Sequence, residues 1–275
     1  MLNICICQLI KNEHRYIEEW IEYYLNMGIS KFILIEDWNS RSHKDILAKY
    51  GDKIILHKYD DIVIDEDKTY FNDLRQQIIW ASFYRLYKDK FDCCFFIDPD
   101  EYLNCSKKEF LTEVEYFYDN PNIYSISYKW LTRTATGWIK DPYPNQIYSV
   151  VNTYTDILPG YNLYYKYEEY GNKDYNFNCK HLIYLNKLKT VKDFYAPHGD
   201  TKYFQYVQES LFRINHYLTK SWEEYKYRLF DKGEQVKKWA RNPDDFFLIN
   251  KDLLPYKEQL LNECKSQNAK YNDYI

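Results

Sequence analysis

The first 105 residues limit the fold most strongly, because strand-like and helix-like hydrophobic patterns alternate along them and each apolar run ends in a polar turn. Residues 3–10 read as a strand. Over residues 14–27 the apolar positions Ile17, Trp20, Ile21, Tyr24 and Leu25 recur at helical spacing and describe one face of a helix, which Gly28 stops. Residues 31–35 predict a second strand, 53–57 a third, 70–90 a long helix, and the run Phe91-Asp92-Cys93-Cys94-Phe95-Phe96-Ile97 a buried fourth strand. This alternation predicts an α/β architecture with a mostly parallel central sheet flanked by helices.

In such sheets ligands bind beyond the carboxyl ends of the strands. Three polar clusters fall there: Lys11-Asn12-Glu13, Glu36-Asp37-Trp38-Asn39-Ser40 and Asp98-Pro99-Asp100-Glu101. The last places three carboxylates on one turn. Crowded carboxylates repel one another and resist desolvation, so a site that keeps them ionised normally supplies a cation. Oxygen ligands of this kind suit Mg2+ or Mn2+. With only 7 Gly in the chain and no glycine fingerprint after the first strand, a phosphate-cradling glycine loop is excluded, and any pyrophosphate must be held by metal and side chains.

A formal net charge of -4 argues against a nucleic-acid partner. The longest apolar runs are strand-sized and the start lacks the features of a secretory signal, so no transmembrane segment is expected. The expected location is the cytoplasm, with peripheral contact at the inner membrane face open to it. Seven Cys without zinc-knuckle spacing read as reduced core residues. The 32 Tyr and 7 Trp suit sugar-binding clefts and ordinary cores alike, and an A- and T-rich base composition also inflates Tyr. Downstream, residues 123–130 and 147–154 are strand-like, and residues 222–232 and 254–265 have helical patterns.

Lys11-Asn12-Glu13, followed by Ile17-Glu18-Glu19-Trp20-Ile21, Tyr23-Tyr24 and Gly28-Ile29, resembles the opening of glycosyltransferase family 92 and the related family-2-like group. Asp37-Trp38-Asn39-Ser40, Arg75-Gln76, Asp98-Pro99-Asp100-Glu101-Tyr102-Leu103, Asn215-His216-Tyr217, and Lys220-Ser221 with Glu223-Glu224 follow in the same order. The likeness spans roughly residues 3–233 and is weak in its middle third. It implies a GT-A fold, a nucleotide-sugar donor, commonly a UDP-sugar, and a manganese or magnesium ion. The catalytic domain would then occupy residues 1–233, with a helical extension at 234–275 packed on it. One departure is the segment Thr132-Arg133-Thr134-Ala135-Thr136-Gly137-Trp138, from which no acceptor identity follows.

On this reading the product is a glycan or lipid-linked glycan in cell-surface polysaccharide or lipopolysaccharide synthesis, formed with inversion. Asp100 is the foremost metal ligand, Asp98 meets the metal or the ribose, and Glu101 orients the site. Asp37, Asn39 and Ser40 face the nucleoside or form a plain turn; Lys11 and Glu13 line the site or start a helix. Arg75 pairs with the diphosphate or with a carboxylate. The resemblance points to one of His198 and His216 as a metal or diphosphate contact, and His216 is preferred because Lys220, four residues on, would share its face if residues 216–220 are helical. The general base is open among Glu101, Asp200, Asp141 and Glu168, the first two leading. Two other readings are a carbohydrate-binding protein that keeps the fold without turnover, and a glycoside hydrolase built on a carboxylate pair.

Overall fold

The computed structural model describes residues 2–65, 75–140, 149–157, 179–188, 207–231 and 243–267. The chain divides into two compact units, Met1–Trp130 with Asn162–Asn215, and Leu131–Tyr161 with His216–Ile275. The expected boundary at 233/234 lies outside the described residues.

The strands are β1 (Ile4–Ile10), β2 (Lys31–Glu36), β3 (Ile54–Lys58), β4 (Cys93–Phe96), β5 (Glu101–Asn104), β6 (Ser125–Thr132), β7 (Cys179–Tyr184) and β8 (Val207–His216), and the first unit holds them up to Trp130 of β6 and Asn215 of β8. Their order is β3-β2-β1-β4-β7-β6-β8-β5. β1 pairs in parallel with β2 and β4, and β2 with β3, whereas β7 runs antiparallel to both β4 and β6. The fold is therefore a mixed α/β sheet, parallel where strand and helix patterns alternate in the sequence. Strand β5 leaves the middle of the sheet and joins its far edge, so the acidic turn links the two.

Side-chain alternation along the strands assigns each face its cover. Cys5, Cys7, Ile33, Ile35, Cys94 and Phe96 pack with Ile79, Trp80, Phe83, Tyr84 and Tyr87 of the helix α2 (Arg75–Tyr87). On the opposite face Trp20 of α1 (Ile17–Met27) meets Phe32 edge-on at 5.5 Å, and Phe95 stacks at 6.2 Å on Phe110 of α3 (Lys107–Tyr118). Cys5, Cys7, Cys93 and Cys94 are buried free thiols, and burial raises the pKa of the last three well above the ordinary value. All four are core residues, and Cys7, Cys93 and Cys94 resist ionisation.

Helix α1 ends as its sequence demands. The Gly28 N–H donates to Leu25 O and the Ile29 N–H to Tyr24 O, with Gly28 at φ 101. Helix α3 begins with a reciprocal cap, in which Ser106 Oγ accepts the Glu109 N–H and Glu109 accepts the Ser106 N–H. The strand expected over residues 147–154 is corrected: Val150–Thr153 is a helical turn, because Ser149 Oγ accepts the Asn152 N–H at 3.1 Å and caps it. Residues 216–220 are not helical either, and Lys220 adopts a left-handed backbone at φ 50.

In the second unit Trp222, Tyr225, Phe246, Phe247, Leu253 and Leu260 pack together from the helices Trp222–Lys226, Pro243–Ile249 and Lys257–Gln267 and the turn between the last two. Buried Asn250 ties them, accepting the Ala135 N–H and donating to Phe246 O and Thr219 Oγ1. No helix among the described residues is long and apolar enough to cross a membrane.

A Cβ added at Gly28 would lie 3.3 Å from Leu111 Cδ1 on a backbone that L side chains rarely adopt. Gly28→Ala is expected to lower the unfolding free energy by about 1–2 kcal/mol with an unchanged urea m-value. Equal urea midpoints for the two proteins contradict this account of the helix end.

Candidate active site

The acidic turn is held from four sides within the first unit. The Asp98 N–H donates to Glu101 Oε2 at 2.9 Å, and the Glu101 N–H returns a bond to Asp98 O at 3.0 Å. Tyr24 on α1 donates to Glu101 O and accepts the Leu103 N–H, so the helix fixes the strand that carries Glu101. From β1, Gln8 Nε2 donates to Asp98 Oδ1 at 2.6 Å. From β7, Lys180 Nζ lies 2.5 Å from Asp98 Oδ2 and 3.6 Å from Glu101 Oε1, above the Trp130 ring at 5.6 Å from its centroid.

Glu101 is fully buried and Asp100 nearly so. Burial raises the Glu101 pKa well above the ordinary carboxylate value; Lys180 opposes that shift, while Asp98 and Asp100 add to it. Burial also works against charge on Lys180, but Asp98 and Glu101 outweigh it and hold the ammonium protonated beyond its usual range. The structure thus supplies a resident cation for the turn.

The set still fits a hard divalent ion. Asp98 and Asp100 offer carboxylate oxygens, and Gln8 Oε1 is buried with no hydrogen-bond partner. An orphaned amide oxygen beside a carboxylate is the kind of donor that magnesium and manganese accept.

The two other polar turns interlock. Asn12, at φ 51, donates its N–H to Ser40 Oγ and accepts the Arg41 N–H on Oδ1 at 2.8 Å. The Glu13 N–H donates to His43 Nε2 at 2.9 Å, while His43 Nδ1 faces Glu36 Oε1 at 3.0 Å. His43 is therefore neutral with its proton on Nδ1, and burial lowers its pKa even though the bond to Glu36 opposes that. His14 stacks on it at 4.1 Å. Asp37 is buried, and its Oδ1 accepts the Trp38 N–H. Lys11 and Glu13 are half-buried and Asn39 is exposed.

These loops and the acidic turn follow β1, β2 and β4, three adjacent parallel strands, so Lys11, Glu13, Asp37, Asn39 and Asp98 to Glu101 share one end of the sheet. Arg75 opens α2, but its side chain lies outside the described residues, as do Asp141, Glu168, His198 and Asp200. His216 and Lys220 are buried in the second unit, where His216 O accepts the Arg133 N–H at 2.9 Å. The non-helical course of residues 216–220 removes the spacing argument that would have put both on one helix face.

Sequence reasoning missed Gln8, His43 and Lys180. Gln8 had a signal, since it interrupts the otherwise apolar run Ile4-Cys5-Ile6-Cys7-Gln8-Leu9-Ile10. Lys180 had none, because 82 residues separate it from Asp98.

No protein-family model and no curated protein matches the chain. Among solved structures it is similar to glucosyl-3-phosphoglycerate synthase from Mycobacterium tuberculosis in complex with Mn2+, UDP and glucosyl-3-phosphoglycerate, at 12% identity over 76% of this chain and 69% of that one, TM-score 0.40. It is similar also to a Staphylococcus aureus TarS fragment in complex with UDP, at 12% identity over 51% of this chain and 39% of that one, TM-score 0.35. Likeness at these values identifies neither a family nor an activity for this chain.

Burial, with Lys180 adding to it, lowers the His181 pKa to about 3. The unfolded chain protonates its histidines below about pH 6.5, whereas folded His43 and His181 stay neutral further down. Stability is therefore expected to fall as pH drops below about 6.5, by up to about 1.4 kcal/mol per pH unit for each ring. Urea midpoints at pH 7.5, 6 and 5 test this, and His43→Gln, which keeps one donor and one acceptor, should show the shallower slope. Glu101, whose raised pKa gives the opposite slope, is present in both proteins, so equal pH slopes for wild type and His43→Gln contradict the assignment of a neutral His43.

Proposed function

We propose that the chain is a metal-dependent glycosyltransferase of the GT-A type, moving a sugar from a nucleotide-diphosphate sugar, a UDP-sugar first, to a glycan or lipid-linked acceptor with inversion. One observation carries the reading: a buried acidic turn at the carboxyl end of a central strand, with an unsatisfied amide oxygen beside it and two interlocked polar loops on the neighbouring strands. The resemblance of these same segments to family 92 supports it.

In this reading Asp100 and Asp98 hold the cation, Mn2+ or Mg2+, with His216 as the third ligand. A cation held there stabilises the negative charge that develops on the departing diphosphate. Lys11, Arg75 and Lys220 add positive charge toward the phosphates, and Glu13, Asp37 and Asn39 contact the nucleoside. Of the base candidates, Glu101 is buried and spends its carboxylate on the Asp98 N–H and Lys180, which suits a positioning role. The base role then goes to Asp200, which takes the acceptor hydroxyl proton as that oxygen attacks the anomeric carbon. The acceptor belongs to surface-polysaccharide or lipopolysaccharide synthesis in this reading, with transfer at the inner membrane face.

Ligand binding to the native state alone raises stability by about 2.7 kcal/mol at a hundredfold excess over Kd, which in a chain of this size is a melting shift of about 5–10 °C. UDP with Mn2+ is expected to give such a shift, and Asp100→Ala to abolish it. A mass-spectrometric screen of UDP- and GDP-sugars with Mn2+ then names the donor. An unmoved melting curve at millimolar UDP, GDP and Mn2+ overturns the proposal.

A further inference from the structure

Lys180 changes what a cation must do to enter the acidic turn. The antiparallel pairing of β7 with β4 ends with His181 opposite Phe96, so Lys180 stands level with the point where the chain turns into Asp98. Its ammonium reaches Asp98 Oδ2 at 2.5 Å and Glu101 Oε1 at 3.6 Å, and its side chain is only 12% exposed. Gln8 Nε2 engages the other Asp98 oxygen at 2.6 Å. Both oxygens of the Asp98 carboxylate are therefore committed to hydrogen-bond donors.

Each oxygen keeps a further lone pair, but a divalent ion bound through Asp98 would share an oxygen that already faces a donor. It would also bring two positive charges against an ammonium with little solvent around it, where Coulomb repulsion is poorly screened. The Gln8 amide can keep its bond to Oδ1 while its own oxygen faces the ion; Lys180 can offer no lone pair, because it is a donor only. Ion and ammonium thus compete for Asp98 Oδ2.

We propose that Lys180 is a displaceable internal counter-ion: it neutralises the acidic turn when no divalent ion is bound and must leave Asp98 when one binds. This rests on the metal reading given above and adds to it a residue that weakens and gates the ion's affinity. Lys180 touches the ligand residue, so it is a positioning residue for the site. The exchange breaks the Lys180–Asp98 ion pair and forms one metal–oxygen bond, with no proton or electron transferred.

The test uses Mn2+ alone, its free concentration read by electron paramagnetic resonance in the full chain. Lys180→Met and Lys180→Gln, which keep an unbranched stem one atom shorter and remove the charge, are expected to bind Mn2+ at least tenfold more tightly than wild type, about 1.4 kcal/mol. Lys180→Arg, which keeps the charge, should stay within about threefold of wild type if charge is what competes. Wild-type binding with equal or weaker binding in the two neutral variants overturns the counter-ion proposal while leaving the metal site standing. Absence of Mn2+ binding in wild type and in the neutral variants overturns the metal reading, and the proposal with it. Should the neutral variants fail to fold, the wild type decides: with isotope-labelled lysine, Mg2+ is expected to move the Lys180 ammonium resonance saturably. A resonance that stays put while Mn2+ binds overturns the exchange.

Discussion

The arrangement depends on how the first unit tolerates carboxylates at the end of a buried strand. Removing Asp98, Asp100 and Glu101 from water is costly, and the cost is offset by specific partners: Lys180 donates to Asp98 and faces Glu101 in an ion pair at 3.6 Å, Gln8 donates to Asp98, and the Asp98 amide donates to Glu101. A buried ion pair of this kind adds little net stability over an apolar substitute. It becomes strongly destabilising when one member is removed, because the partner is left charged and unsolvated. Gln8 comes from β1 and Lys180 from β7, the two neighbours of β4, so the turn's electrostatics and the order β1-β4-β7 are one constraint.

The same logic explains the helix packed behind the turn. Tyr24 is fully buried, and its hydroxyl would be an expensive orphan if it did not both donate to Glu101 O and accept from Leu103 N. Those two bonds use the polar groups of β5 at the point where the chain crosses to the sheet edge. The ring itself packs edge-on with Trp20 at 5.5 Å and Phe95 at 6.2 Å. Core packing thereby sets the position of a carboxylate that points the other way, toward Lys180.

What was legible in the sequence was local. The helix at Ile17–Met27 and its stop at Gly28, the strands β1 to β4 and the polar turns beyond them all follow from periodicity and turn chemistry within a few residues. The Val150–Thr153 turn went against its β-branched composition because one serine side chain satisfied a helix-start amide. His43 and Lys180 were invisible for a different reason: their partners, Glu13 and Asp98, are 30 and 82 residues away in sequence. A lone lysine or histidine beside a strand carries no sign of what it will meet. Only the interruption of the apolar β1 run by Gln8 pointed toward the site from within one strand.

Charge counting shows why the resident lysine and a divalent ion are not redundant. With every group in its ionised form, the three acids and Lys180 leave two formal negative charges on the turn. One ammonium cannot balance them; burial is the main cause of the raised Glu101 pKa, and Asp98 and Asp100 add to it against the opposing pull of Lys180. A divalent ion alone would bring the turn to neutrality with Lys180 still present. A diphosphate arriving with that ion would restore negative charge and give a released Lys180 an anion to face. By this count the turn is two charges negative with the lysine alone and neutral once a divalent ion joins it, and a diphosphate makes it negative again.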